Sequence, residues 1–253
     1  MRGYLAFVKK EFMEIIRTYK LVVLGAIFLI LGIMNPLTAK LTPTLLSSLV
    51  PEGMTITISE PSAMDSWMQF YKNVPQIGLI VLVIVFSGLM SAELSKGTLV
   101  NILTKGLPRK TVILSKFTVA GLVWTGVYAL CFLISYGYTV YFWKEKVVHL
   151  LLATFCVWAF GVLLIACVLL GGVLFKSSYG SLLFSGGVVA VLFVLNLFGK
   201  IKDYNPVRLV SENLPLLRQE MEAADFIWPL VFCGILAMIM TVSSITIFNN
   251  KKI

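Results

Sequence analysis

Six long apolar stretches, at 21–38, 77–92, 117–143, 149–175, 179–198 and 226–248, constrain this chain more than any motif in it. A helix needs about 20 mostly apolar residues to cross the hydrocarbon core of a bilayer. Within that core every backbone N–H and C=O must be paired inside the chain, which a helix achieves and an open sheet does not. None of the stretches alternates with the period of two expected of an outer-membrane strand. The expected fold is therefore all-α, a polytopic membrane protein with six transmembrane helices. Composition agrees: 58% of residues are hydrophobic and 13% charged, against about 45–50% and about 25% in soluble domains. Six spans and their loops use nearly all of the 253 residues, so 1–253 reads as a single transmembrane domain with no catalytic domain attached.

The formal net charge of +9 suggests nucleic acid only until its distribution is considered. With the N-terminus placed in the cytoplasm, the inner segments hold 13 basic and 3 acidic residues, a net of +10. The outer segments hold 8 basic and 9 acidic, a net of −1. Basic residues near helix ends stay on the cytoplasmic side, which predicts six spans with both termini inside. Anionic lipid, and no nucleic acid, is the partner this excess implies.

The basic start preceding an apolar run could be a signal peptide. Glu11, Glu14 and the Asn35–Pro36 exit without a small-x-small site argue for an uncleaved first span. In residues 1–20, Leu5, Val8, Phe12, Ile15, Ile16 and Tyr19 fall near one helical face, with Lys9, Lys10, Glu14 and Arg17 on much of the other. This pattern suits an amphipathic helix in the membrane interface, or a solvated helical extension.

Chemistry-bearing residues are few. Cys131, Cys156, Cys167 and Cys233 lie in spans without CxxC spacing, so no disulfide or metal site is expected. His149 reads as an interfacial residue. No Asp, Glu, Lys or Arg lies well inside a predicted span, whereas ion-coupled carriers place such groups near the midplane. The hydroxyls and glycines of the spans suit helix–helix packing. No catalytic constellation, cofactor site or nucleotide loop occurs. Gly171 to Ser177 resembles a phosphate loop superficially, but it lacks the glycine before Lys176 and closes a span. The expectation is a non-enzymatic protein.

The segment 91–116 is basic, amphipathic and too polar to span. It begins Ser-Ala-Glu-Leu-Ser-Lys-Gly-Thr and later reads Gly-Leu-Pro-Arg-Lys-Thr. Here the chain resembles permease subunits of bacterial type-two ABC exporters. These have an acidic residue ending the second span, a Gly-Thr, a short amphipathic helix, and a proline-plus-basic turn into the third span. Glu93, Gly97, Thr98, Pro108, Arg109 and Lys116 match that pattern, Arg109 and Lys110 mark the cytoplasmic edge of the third span, and six spans with an amphipathic N-terminal helix extend the resemblance over the whole chain. A short helix held outside the membrane can dock on a soluble partner. Gly97 allows a sharp turn, Thr98 offers an N-cap, and Pro108 stops the helix.

The resemblance implies a cytoplasmic coupling helix and a partner ABC ATPase subunit carrying ATP and magnesium. It also implies a second permease copy, as a homodimer or related heterodimer, and outward movement of cargo. It further implies an outer gate around Tyr204, Asn205 and Pro206 in the long polar segment 199–225, which composition alone reads equally as a solvated loop. Met90, Trp124, Tyr128, Tyr136 and Tyr138 offer adaptable contact to an amphipathic or hydrophobic cargo such as a membrane-active peptide, or else face lipid and neighbouring helices. The first outer loop, 39–76, contains Pro43, Pro51, Pro61 and Pro75 and a β-prone stretch at 54–59. Two alternatives stay open: a secondary carrier or channel, and a membrane scaffold or immunity protein without transport.

Overall fold

The computed structural model describes residues 2–49, 60–104 and 106–251. All regular structure among them is helical. Helix α1 (Arg2–Arg17) precedes α2 (Lys20–Leu49). The second span is built from α3 (Ala63–Asn73), a π-helical turn at Val74–Gly78, α4 (Leu79–Phe86) and α5 (Gly88–Ser95). A short α6 (Thr98–Leu103) leads to α7 (Arg109–Phe142), α8 (Leu150–Phe175) and α9 (Ser178–Leu195). Three short helices follow: α10 (Gly199–Lys202), α11 (Arg208–Ser211) and α12 (Asn213–Leu217). A 3₁₀ turn (Ala223–Phe226) enters α13 (Ile227–Asn250).

Six helical segments are long and apolar enough to cross a membrane: Lys20–Thr44, Ala63–Ser95, Arg109–Phe142, Leu150–Phe175, Ser178–Leu195 and Ala223–Asn250. Their bounds depart from the apolar stretches by more than three residues at three places. The first helix runs through Pro36 and Pro43 instead of stopping at 38, since neighbouring helices in a membrane compensate the backbone bond a proline loses. The second begins at Ala63 instead of 77, so much of the segment read as loop 39–76 is helix. Asp65 starts it by accepting from the Ser62 N–H and hydroxyl, both at 2.8 Å, and the β-prone stretch 54–59 lies outside the described residues. The third begins at Arg109 instead of 117.

The longer helical segments take in charged residues toward their ends. Lys72 and Glu93 lie within the second membrane-length helix and Lys116 within the third. At about 1.5 Å per residue, the helix Ala63–Ser95 is longer than the roughly 30 Å hydrocarbon core. Its charged ends therefore have room to reach the interfaces.

α8 is the central helix, with both glycines of Gly171–Gly172 buried in it. α2 and α7 pair along their lengths, as do α8 and α13, and α8 and α9. At the end away from α1, α3 packs on α7 through aromatic rings, with Trp67 5.6 Å from Phe132 and Phe70 6.1 Å from Tyr128. The near-match to a phosphate loop is the α8–α9 bend. Lys176 takes a left-handed φ of 53°, and the Ser177 hydroxyl accepts from the Gly180 N–H to cap α9. All four cysteines are free and buried.

Candidate functional site

α1 does more than float on an interface. Its buried residues are Phe7, Glu11 and Ile15, spaced by four and turned toward the helix core, with α7 its main neighbour. Leu5, Phe12, Ile16 and Tyr19, expected on one apolar face with Ile15, remain exposed. α1 therefore has two apolar faces, one packed against protein and one free for lipid. The reason is Glu11, a charge that the packed face can bury because α7 answers it.

The answering group is Lys116. Its ammonium lies 2.8 Å from Glu11 Oε2 and 2.8 Å from Glu93 Oε2. Glu11 and Lys116 are each 1% exposed and Glu93 8%. Lys10 adds ion pairs to Glu11 at 3.0 Å, to Glu14 at 2.7 Å and to Glu93. Burial pulls the Lys10 ammonium toward neutrality, but the hydrogen bonds to Glu14 and Glu93 and the charge of Glu11 outweigh it and hold its pKa above the ordinary lysine value. The carboxylates of Glu11, Glu14 and Glu93 approach within 4.8 Å of one another, the spacing of a cation site. Lysine ammonium groups bridge them instead. This cluster joins α1, the end of the second span and the start of the third, elements far apart in sequence.

The resemblance-derived coupling residues separate into two sets. Glu93 is spent inside the cluster. Arg109 also turns inward: its guanidinium donates to the carbonyls of Phe248, Asn249 and Lys251 at 2.7, 2.9 and 2.7 Å and lies over the Phe248 ring. A cation on the last carbonyls of a helix satisfies acceptors that have no intrahelical donor and opposes the negative end of its dipole. Lys251 in turn donates to the carbonyls of Val173 and Leu174 at the end of α8. Burial, with the nearby charge of Lys176, lowers its pKa.

Arg109→Ala is expected to fray 248–251, because charge-assisted bonds worth about 1.5–3 kcal/mol are lost. Hydrogen-exchange mass spectrometry should show faster exchange confined to that segment. Unchanged exchange would mean other donors take over.

The remaining members lie around α6: Thr98, Pro108 and Lys110 are exposed, as is Lys96, which the resemblance did not single out. Gly97 makes the sharp turn with φ of +66°. Thr98 is the first residue of α6 and not its cap; its hydroxyl donates back to the Glu93 carbonyl at 3.4 Å. Nor does Pro108 stop α6, which ends at Leu103. Gly106, with φ of +85°, turns the chain first, and Pro108 then opens α7.

At the opposite end, the middle of 199–225, residues 205–217, is packed and not a solvated loop. Val207, Leu209, Leu216 and Leu217 are buried against α8 and α3. Asn205 organises it, donating to the Leu192 carbonyl at 2.7 Å and accepting from the Val207 N–H at 3.0 Å. Pro206 is buried beside it. Tyr204 stacks edge-on against Trp228 and Phe232 of α13. Arg208 pairs with Asp203 and Glu212, and Lys202 also reaches Glu212. Burial raises the Glu212 pKa, but Lys202 and Arg208 more than reverse it and hold the carboxyl below its ordinary value.

Between the second span and α9, roofed by α11 and α12, lies a cleft of about 770 Å³. Sequence reasoning missed it, because the walls come from elements the apolar pattern treats alike. Met90, Trp124, Tyr128, Tyr136 and Tyr138, considered as cargo contacts, do not line it. Met90, Trp124 and Tyr128 are core residues, and Tyr136 and Tyr138 are exposed.

No family model matches the chain. It is 22% identical over 256 residues to the uncharacterized transmembrane protein YxlG of Bacillus subtilis (strain 168), across 100% of this chain and 99% of that protein. Together with the six apolar helices, this makes the chain a multi-pass membrane protein.

Proposed function

We propose that this chain is the permease subunit of an ATP-driven ABC exporter in a bacterial cytoplasmic membrane, with both termini and the α1 end cytoplasmic. One observation carries the reading: the buried cluster of Glu11, Glu93 and Lys116 fastens α1 and the α5–α6 turn onto α7. A push on α6 from a soluble partner would then move two spans and the interfacial helix together, without being lost in a slack loop.

ATP and magnesium would reside on a separate ABC ATPase subunit, and the permease itself is read as non-enzymatic. A second permease copy completes the transporter, and an amphipathic or hydrophobic cargo, such as a membrane-active peptide, moves outward. Glu93 and Arg109 act here as internal braces, while Lys96, Thr98 and Lys110 supply the face a partner touches. The segment around Tyr204, Asn205 and Pro206 would serve as the outer gate.

The test is affinity capture of the tagged chain from cells co-expressing a neighbouring ATPase with a Walker A motif, followed by reconstitution. Lys96→Glu with Lys110→Glu should weaken capture while insertion is unchanged, since reversing charge against a matched surface costs several kcal/mol. Cargo movement that follows an ion gradient and ignores ATP would overturn the reading in favour of a secondary carrier.

A further inference from the structure

The cleft between the second span and α9 is graded along its length. Gln69, Lys72 and Gln76 line its end nearest α3, and Ser211 of α11 roofs it. Toward the α1 end the walls become Ile80, Val83, Ile84, Leu164 and Leu182. Lining residues from Met68 to Ile84 extend along about 24 Å of helix, at about 1.5 Å per residue. The deeper hydroxyl, Ser185, is already satisfied by donating to the Ser181 carbonyl at 2.9 Å, so the bottom makes no polar demand.

The wall on the second span repeats every four residues, at 68, 72, 76, 80 and 84. In a plain α-helix such a repeat would drift about 40° per step. The π-helical turn at Val74–Gly78 takes up extra residues there, which keeps the row on one side. Pro75 lies within that turn and lines the cleft, where it has no N–H to leave unpaired. Such turns recur at functional positions in helices.

Charge then selects the occupant. Lys72 is the single ionisable lysine, arginine, aspartate or glutamate in the lining, and among the described residues its ammonium has no ion pair. A second cation stands at the rim: Arg218 donates to Sδ of Met68, a lining residue, at 3.4 Å, with only a loose 4.0 Å pair to Glu220. No acidic side chain lines the cleft. A polar, cationic mouth over a long apolar floor mirrors an anionic phospholipid, head and tail in order. A volume of about 770 Å³ lies in the range of ligand sites, roughly 300–1,000 Å³.

We infer that this cleft holds one anionic membrane phospholipid, its acyl chain along the second span and α9 and its phosphate at Lys72 and Arg218. The assignment stands whether or not the chain transports anything.

The test uses the full chain in nanodiscs containing equal phosphatidylglycerol and phosphatidylcholine, then native mass spectrometry of retained lipid. Wild type should keep phosphatidylglycerol preferentially. Lys72→Gln or Arg218→Gln should each cut that preference about fivefold, the value of one basic contact to an anionic headgroup. Gly186→Trp, built where a Cβ meets nothing within 4 Å, should fill the cleft and lower retention of both lipids. Both glutamine variants replace exposed residues, so they remain informative if the tryptophan variant misfolds. Equal retention of the two lipids, insensitive to Lys72 and Arg218, would overturn the inference. So would a lipid-free wild type in which Gly186→Trp separates two copies, because the occupant would then be the second chain.

Discussion

Lys116→Met is expected to destabilise the folded chain by about 3–5 kcal/mol, the range for removing one partner of a buried ion pair. The methionine preserves most of the side-chain volume, so the loss is electrostatic. Glu11 and Glu93 would face each other across a dry site, with only Lys10, a third exposed, to offset them. Neutralising the carboxylates as well should recover most of the loss, since a buried ion pair is often no better than neutral groups of similar shape. Thus Lys116→Met/Glu11→Gln/Glu93→Gln should outlast Lys116→Met. The measurement is the monodisperse fraction surviving a heating series in detergent, read by fluorescence size exclusion. If the single variant survives like the parent, or the triple variant is no better than the single, charge burial is not what holds α1 to α7.

That cluster also marks where sequence reasoning reached its limit. Glu93 and Lys116 were visible as a motif, and the six spans were visible because apolar length is a local property. Glu11 was visible only as a charge that argued against a signal peptide. Its pairing with Lys116 crosses 105 positions, and no periodicity within α1 announces such a contact. Arg109 shows the same limit: its basic character fitted a membrane edge, but its partners are the carbonyls of 248–251.

The second span failed differently. Polar residues such as Asp65, Lys72 and Gln76 broke the apolar run, so the stretch 63–76 read as loop. Hydropathy reports what a helix shows to lipid, and this half shows much of its surface to α7 and to a cleft. In 199–225, by contrast, the spaced leucines were legible, but only packing against α8 distinguishes a buried helix from a solvated one.

Gly161→Ala should be among the most damaging single-carbon changes in the spans. A Cβ at 161 would lie 2.4–2.5 Å from Cε2, Cζ2 and Nε1 of the Trp124 indole. That ring has no free direction. Its N–H donates to the Trp158 carbonyl at 3.0 Å, its face stacks on Tyr128 at 4.9 Å, and its edge meets Phe28 at 5.6 Å. Trp124 is fully buried. Helix propensity alone would favour alanine over glycine by about 1 kcal/mol, and overpacking costs about 1–3 kcal/mol or more, so the sign of the change reports which term wins. Gly126→Ala is the control, because a Cβ there meets nothing within 4 Å and propensity acts alone. A thermal series in detergent should rank Gly126→Ala at or above the parent and Gly161→Ala well below it. Pairing Gly161→Ala with Trp124→Leu should give a coupling energy of about 1 kcal/mol or more, since Trp124→Leu vacates the space that the new methyl group enters. Additive losses, or a Gly161→Ala protein as robust as the control, would mean α7 and α8 part easily and Trp124 is not the contact that sets their spacing.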